Sequence, residues 1–156
     1  MKSLVAYYSL YGNTRSVAEA MSAALTAHGQ SRAIALEALT PEELQDLDLF
    51  ILGCPTHIAN IPKAIRPLLS DLPRGCLKHT YTAAFDTSNE MPRWLTPFTA
   101  AKPLRGKLRW RGGRMIARPE TFHVTGREGP MLEGETERAA LWAETLLKKV
   151  KEKRRR

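Results

Sequence analysis

The sequence predicts a doubly wound α/β domain: a five-stranded parallel sheet in the order 2-1-3-4-5, in three layers with helices on both faces. Three observations predict it. Leu4 to Tyr8 and Leu49 to Gly53 are short apolar runs without a charge, the pattern of strands buried on both faces. Strand patterns alternate with helical ones along the whole chain, which is the signature of right-handed crossovers onto a parallel sheet. Polar loops bearing Gly or Pro follow strands one, three and four, at the edge where such sheets place their ligands.

The first strand stops at Ser9, and the loop Ser9-Leu10-Tyr11-Gly12-Asn13-Thr14 leads into a helix over Thr14 to His28 with Val17, Met21, Ala24 and Leu25 on one face and Gly29 as its C-terminal cap. Arg32 to Leu36 reads as a weak second strand. Thr40-Pro41-Glu42-Glu43 carries a cap, a proline at the first helical position and a glutamate three residues after the cap, so a short helix is expected there. The third strand, Leu49 to Gly53, opens into a long loop from Cys54 to Pro62. The helix after it holds Ile65, Leu68 and Leu69, with Pro67 expected to shorten or bend it. A fourth strand over His79 to Phe85 ends in the polar loop Asp86 to Pro92, followed by a helix over Trp94 to Trp110 with Pro103 and Gly106 in its middle. The fifth strand, Met115 to Thr125, is interrupted by Pro119, which argues for a sheet edge or a bulge. The closing helix carries Ala139, Trp142, Ala143, Leu146 and Val150 on one stripe.

The 156 residues suit one domain, taken as residues 1–150, followed by a basic tail over 151–156. Hydrophobic residues make up 43% of the chain, so a packed core is expected, and no apolar run has the length of a membrane span. Met1-Lys2-Ser3 leads straight into a strand, so a cytoplasmic location is expected. The net charge of +8 is patchy. Lys148 to Arg156 holds seven basic residues and one acid, Lys102 to Arg114 six basic residues and no acid, and the remainder is net acidic. That distribution argues against a nucleic-acid role and for a solvated helix end at the C-terminus. Cys54 and Cys76 form neither a disulfide framework nor a paired metal knuckle, and no metal site is expected.

The loop from Ser9 to Thr14 is an anion site in outline. The first amides of a helix have no intrahelical partner and the helix dipole is positive there. Gly12 admits close approach, Ser9 and Thr14 bring hydroxyls, and Asn13 an amide. Other proteins with this strand order fail on their residues. A phosphate-accepting carboxylate is missing after strand three, an arginine six residues after either cysteine is missing (Asn60 and Thr82 stand there), and Gly-Lys-Ser/Thr is missing altogether.

Ser9 to Thr14 resembles the phosphate loop of flavodoxins, Thr/Ser-x-Thr/Ser-Gly-x-Thr, with Tyr11 as the departure. Gly53-Cys54-Pro55-Thr56-His57 is similar to the family's second flavin loop, often Gly-Ser/Cys-Pro-Thr-Tyr, and Phe85-Asp86-Thr87 opens what would be the third. The resemblance implies bound FMN and electron transfer or small flavin-dependent reduction, in which the flavin performs the chemistry and no catalytic side chain is needed. It implies phosphate contacts from Ser9, Leu10, Tyr11, Gly12, Asn13 and Thr14, and ring contacts from Pro55, Thr56, His57, Ile58, Phe85, Asp86, Thr87 and Trp94. For Asp86, capping of the next turn is the plainer alternative and the one favoured; for Trp94, a core position on the helix is an equal alternative. Partners would be a redox protein, with an acidic one favoured because Arg15, Lys63, Arg66 and Arg93 around the loops outnumber Asp86 and Glu90, or a small redox substrate; if the chain is an enzyme, it is an FMN-dependent oxidoreductase. A second reading keeps the fold without flavin, as a module binding an acidic protein or nucleic acid through its basic surfaces; Tyr11 and the unconventional third loop are its support.

Overall fold

The computed structural model describes residues 1–57, 60–90 and 99–156. The sheet runs β2-β1-β3-β4-β5, all parallel, with β6 also on β4. Its strands are β1 (Lys2–Tyr7), β2 (Gln30–Ala35), β3 (Leu49–Pro55), β4 (Tyr81–Asn89), β5 (Arg114–Met115) and β6 (Glu120–Val124). The helices are α1 (Asn13–Thr26), α2 (Arg66–Asp71), α3 (Ala101–Trp110) and α4 (Glu135–Arg154). This is the expected order.

Alternation along the strands divides the core in two. Leu4, Ala6, Phe50 and Leu52 face a cluster with Ile65, Leu104 and Leu108 of the α2 and α3 layer. Val5, Ile51 and Phe85 face Val17, Met21, Ala143 and Leu146 of the α1 and α4 layer. Phe122 stands edge-on between Phe85 and Trp142, with ring centroids 5.9 and 6.0 Å away. β1 ends two residues short of β3: Tyr7 pairs with Gly53, and the Tyr8 N–H donates to the Gly53 carbonyl at 3.0 Å. The loops that follow them therefore emerge side by side.

Several elements depart from expectation. α1 ends at Thr26, and Gly29 serves a close approach instead: a Cβ there would lie 2.3 Å from the Met1 carbonyl, which accepts the Gln30 N–H at 2.9 Å. Thr40-Pro41 opens a single 3₁₀ turn, Pro41–Leu44, with no side-chain cap from Thr40. Pro67 does not bend a helix, because α2 starts at Arg66 and a proline in the first turn interrupts no hydrogen bond. Pro103 is accommodated likewise, since α3 starts at Ala101; the expected start at Trp94 lies outside the described residues. β4 continues through Asn89, so Asp86 to Ser88 form buried strand rather than loop. The fifth strand is two short segments either side of Pro119, both on the outer side of β4. The basic run from Lys102 includes one side chain that is not surface charge: Arg111 is buried, donates to the Leu69 and Ser70 carbonyls at 2.6 and 2.9 Å, and stacks on Trp110.

The C-terminal basic segment is helical through Arg154, which pairs with Asp48. Asp48 also accepts the Lys2 N–H at 2.7 Å. Beyond Val150 every side chain is exposed, and an exposed arginine adds little through one ion pair. Deleting Lys151–Arg156 is therefore expected to cost about 1 kcal/mol, or roughly 2–4 °C in thermal unfolding. A drop several times larger would show the segment to be part of the fold.

Candidate functional site

At the carboxyl ends of β1, β3 and β4, where the strand order reverses, lies a cavity of about 680 Å³. Three stretches wall it: Ser9 to Thr14 without Gly12, Pro55 to His57, and Thr87 to Glu90. A fourth wall, Val124 and Arg127, comes from the β6 end and was not singled out in the sequence. Its signals were Gly126 and Gly129-Pro130, turn punctuation directly after the last strand.

Gly12 sits at φ +90° immediately before α1, a left-handed position that favours glycine, and a Cβ there would meet nothing within 4 Å. No side chain caps α1, and its first turn holds no acid. The Ser9 hydroxyl accepts the Gly12 N–H at 3.0 Å, which closes the turn and leaves the hydroxyl proton free to donate. The buried Thr14 hydroxyl meets that of Thr87 at 2.8 Å, joining the first loop to β4. The Asn13 amide donates to the Glu128 carbonyl at 3.0 Å, and Gly129 lies so close that a Cβ would fall 2.4 Å from Asn13 Oδ1. Asn13 thus ties the fourth wall to the first loop. Leu10 and Tyr11 stand on the rim, about half exposed.

In the second loop, the Thr56 N–H donates to the Thr87 carbonyl at 2.9 Å, while His57 and Asn60 exchange backbone bonds of 2.9 and 3.1 Å to form a tight turn. Ile58 and Trp94 lie outside the described residues. Two predicted residues stand beneath the site rather than on its wall. The Phe85 ring is fully buried against Gly53, since strand alternation turns it into the α1 and α4 layer. Asp86 is fully buried, and its Oδ2 accepts the Thr56 hydroxyl and the Ala101 N–H, both at 2.9 Å. It thereby accepts the first N–H of α3 from across the fold, since β4 runs on past it through Asn89 and leaves no turn there for it to cap. Burial raises its pKa, against hydrogen bonds from Thr121, the Ala101 N–H, Thr99 and Thr56. Cys54 is also buried, and burial beside Asp86 pushes its thiol well up, so it is no nucleophile at neutral pH.

The donor set fits a phosphate-bearing cofactor. An uncapped, acid-free helix N-terminus under a glycine with open space before it receives a phosphate, and the cavity has the volume of small-ligand sites, roughly 300–1,000 Å³. Ser9, Thr14, Thr56 and Thr87 bring hydroxyls to the lining, and Leu10, Tyr11, Pro55 and Val124 offer apolar surface for a planar ring.

Fold and site together define a doubly wound protein whose topological switch point carries a cavity fit for a phosphate-bearing cofactor. The family model described as flavodoxin matches residues 5–142. A flavodoxin of Clostridium saccharobutylicum is 26% identical over 97% of this chain and 99% of its own length. Among solved structures, oxidised flavodoxin 2 of Bacillus cereus superposes with a TM-score of 0.79 at 23% identity, covering 96% of this chain and 99% of that one. A flavodoxin from the domain Archaea gives 0.71 at 19% identity, covering 97% and 99%. The chain belongs to the flavodoxin family. It binds FMN and functions in electron transfer with redox partner proteins, and nothing in these matches favours the flavin-free alternative. Among the described residues, no helix is long and apolar enough to cross a membrane.

Proposed function

We propose that FMN is anchored by its phosphate on the Ser9 to Thr14 loop, with its ring between the Pro55 to His57 loop and the stretch from Thr87. The observation that carries this reading is the uncapped, acid-free start of α1 opening on the cavity. The backbone amides and the free hydroxyl proton of Ser9 supply the donors, so the phenol of Tyr11 is not needed as one. FMN is then expected to bind the apoprotein at least a hundredfold more tightly than riboflavin. Fluorescence titration of apoprotein with each decides it, and equal affinities would remove this loop as the anchor.

The partner we propose is an acidic redox protein, met in the cytoplasm. Arg127 at the cavity and exposed Lys63 and Arg66 beyond the second loop outnumber Glu90 and Glu128. Arg93, which the sequence placed on the same rim, lies outside the described residues. Cys54 and Cys76 are free thiols, as suits a reducing compartment. A net positive rim favours the reduced, anionic cofactor, so the couple should be less negative than in acidic flavodoxins and should shift with ionic strength. Redox titration at low and high salt tests this; a very negative, salt-insensitive couple would mean these cations do not act on the flavin.

A further inference from the structure

A second cleft, of about 650 Å³, opens between α3 and the connection from β5 to β6. Its charged lining is Lys102, Arg105 and Arg109 from α3 and Arg118 from the connection, with no acid. The three helical residues fall at i, i+3 and i+7, one stripe beside the buried face of Leu104 and Leu108. Among the described residues none of the four makes an ion pair. The carboxylates of neighbouring strands are engaged elsewhere: Glu120 meets Arg138 at 3.1 Å, and Asp86 is buried under the start of α3.

This stripe works against the helix that carries it. Like charges three and four residues apart repel, and Lys102 in the first turn opposes the helix dipole. Gly106 adds to the cost, because glycine in a helix interior is unfavourable. Nothing internal requires it: a Cβ at Gly106 would meet no atom within 4 Å, and Gly106 lines the cleft among the basic side chains. A glycine without an intramolecular reason, between unpaired cations, fits close approach of an anionic ligand to the helix backbone. The N-terminal amides of α3 are not the attraction, because Asp86 already takes the Ala101 N–H.

We propose that this cleft binds a small polyanion of nucleotide size, a ligand carrying two or more linked phosphates, at a site separate from the FMN loop. Four cations on two sides of the cleft exceed what a single phosphate engages.

The test uses the FMN-saturated protein, whose phosphate loop is filled, with pyrophosphate and ATP as probes in phosphate-free buffer. Calorimetry is expected to show one saturable site for ATP, weakened by added salt and leaving the flavin spectrum of bound FMN in place. The double variant Lys102→Gln, Arg105→Gln should lose at least tenfold in ATP affinity with FMN affinity unchanged. Gly106→Ala should bind ATP several-fold more weakly while melting at a higher temperature, a combination that a merely structural glycine does not produce. Equal ATP affinity in wild type and the double variant, release of FMN by ATP, or tighter binding of polyglutamate than of ATP would each overturn the assignment. The last would give the cleft to an acidic protein surface.

Discussion

Gly53→Ala is expected to destabilise the protein by about 3 kcal/mol, at the upper end of the ordinary cost of overpacking, and to lower its melting temperature by roughly 6–12 °C. The added Cβ would sit 2.1–2.4 Å from three carbons of the Phe85 ring. That ring is fully buried and stands edge-on to Phe122, so it has no free direction in which to retreat. Phe85→Leu removes the atoms in conflict, and the double variant should be less destabilised than the two single changes summed. Chemical denaturation of the four proteins measures the coupling; strict additivity would show that the ring is not what excludes a side chain at 53. Gly53 also immediately precedes the second cavity loop, so the variant should bind FMN more weakly.

The second large effect is expected at Asp86. Asp86→Ala leaves the Thr56 hydroxyl and the Ala101 N–H without their buried acceptor, a loss of about 3 kcal/mol for two unsatisfied donors. Asp86→Asn keeps an oxygen for both donors and removes the buried charge, but sets an amide N–H where Oδ1 is buried without a partner among the described residues, so it should cost less than Asp86→Ala at pH 7. The sign of the pH dependence follows from the raised pKa. Between the unfolded value and the raised folded value the native state binds more protons, so this group's contribution falls as pH rises through that window and is constant above it. The stability of Asp86→Asn relative to wild type should therefore grow as pH climbs from 4 and then level off. A difference that shrinks with rising pH would mean the carboxylate is stabilised in its charged form.

Much of this architecture is legible because its central strands are buried on both faces and so read as pure apolar runs: Leu4 to Tyr8 and Leu49 to Gly53 announce the sheet, and Pro119 announces its broken edge. β4 is legible only halfway. Its last four residues, Asp86 to Asn89, are polar and look like a loop, yet Asp86 to Ser88 are buried, with Asp86 and Thr87 held by hydrogen bonds to other elements. Such satisfaction is tertiary and leaves no periodic trace. The anion loop was readable because glycine and hydroxyls precede a helical pattern. The wall from Val124 to Arg127 was not, because its place in the site depends on Asn13 reaching across 115 positions of sequence to Glu128.

Asp48 receives both ends of the chain, the Lys2 N–H on one oxygen and Arg154 on the other. It lies at the amino edge of the sheet, the length of β1 away from the cofactor cavity, or about 20 Å for six residues. Lys2 and Arg154, next to the two ends, thus meet at one carboxylate, and the ends lie on the same edge of the sheet. A circular permutant that links them and opens an exposed turn instead would keep every strand pairing. Surface immobilisation or a fused reporter at either end would leave the cofactor side facing solution, oriented toward whatever delivers or removes its electrons.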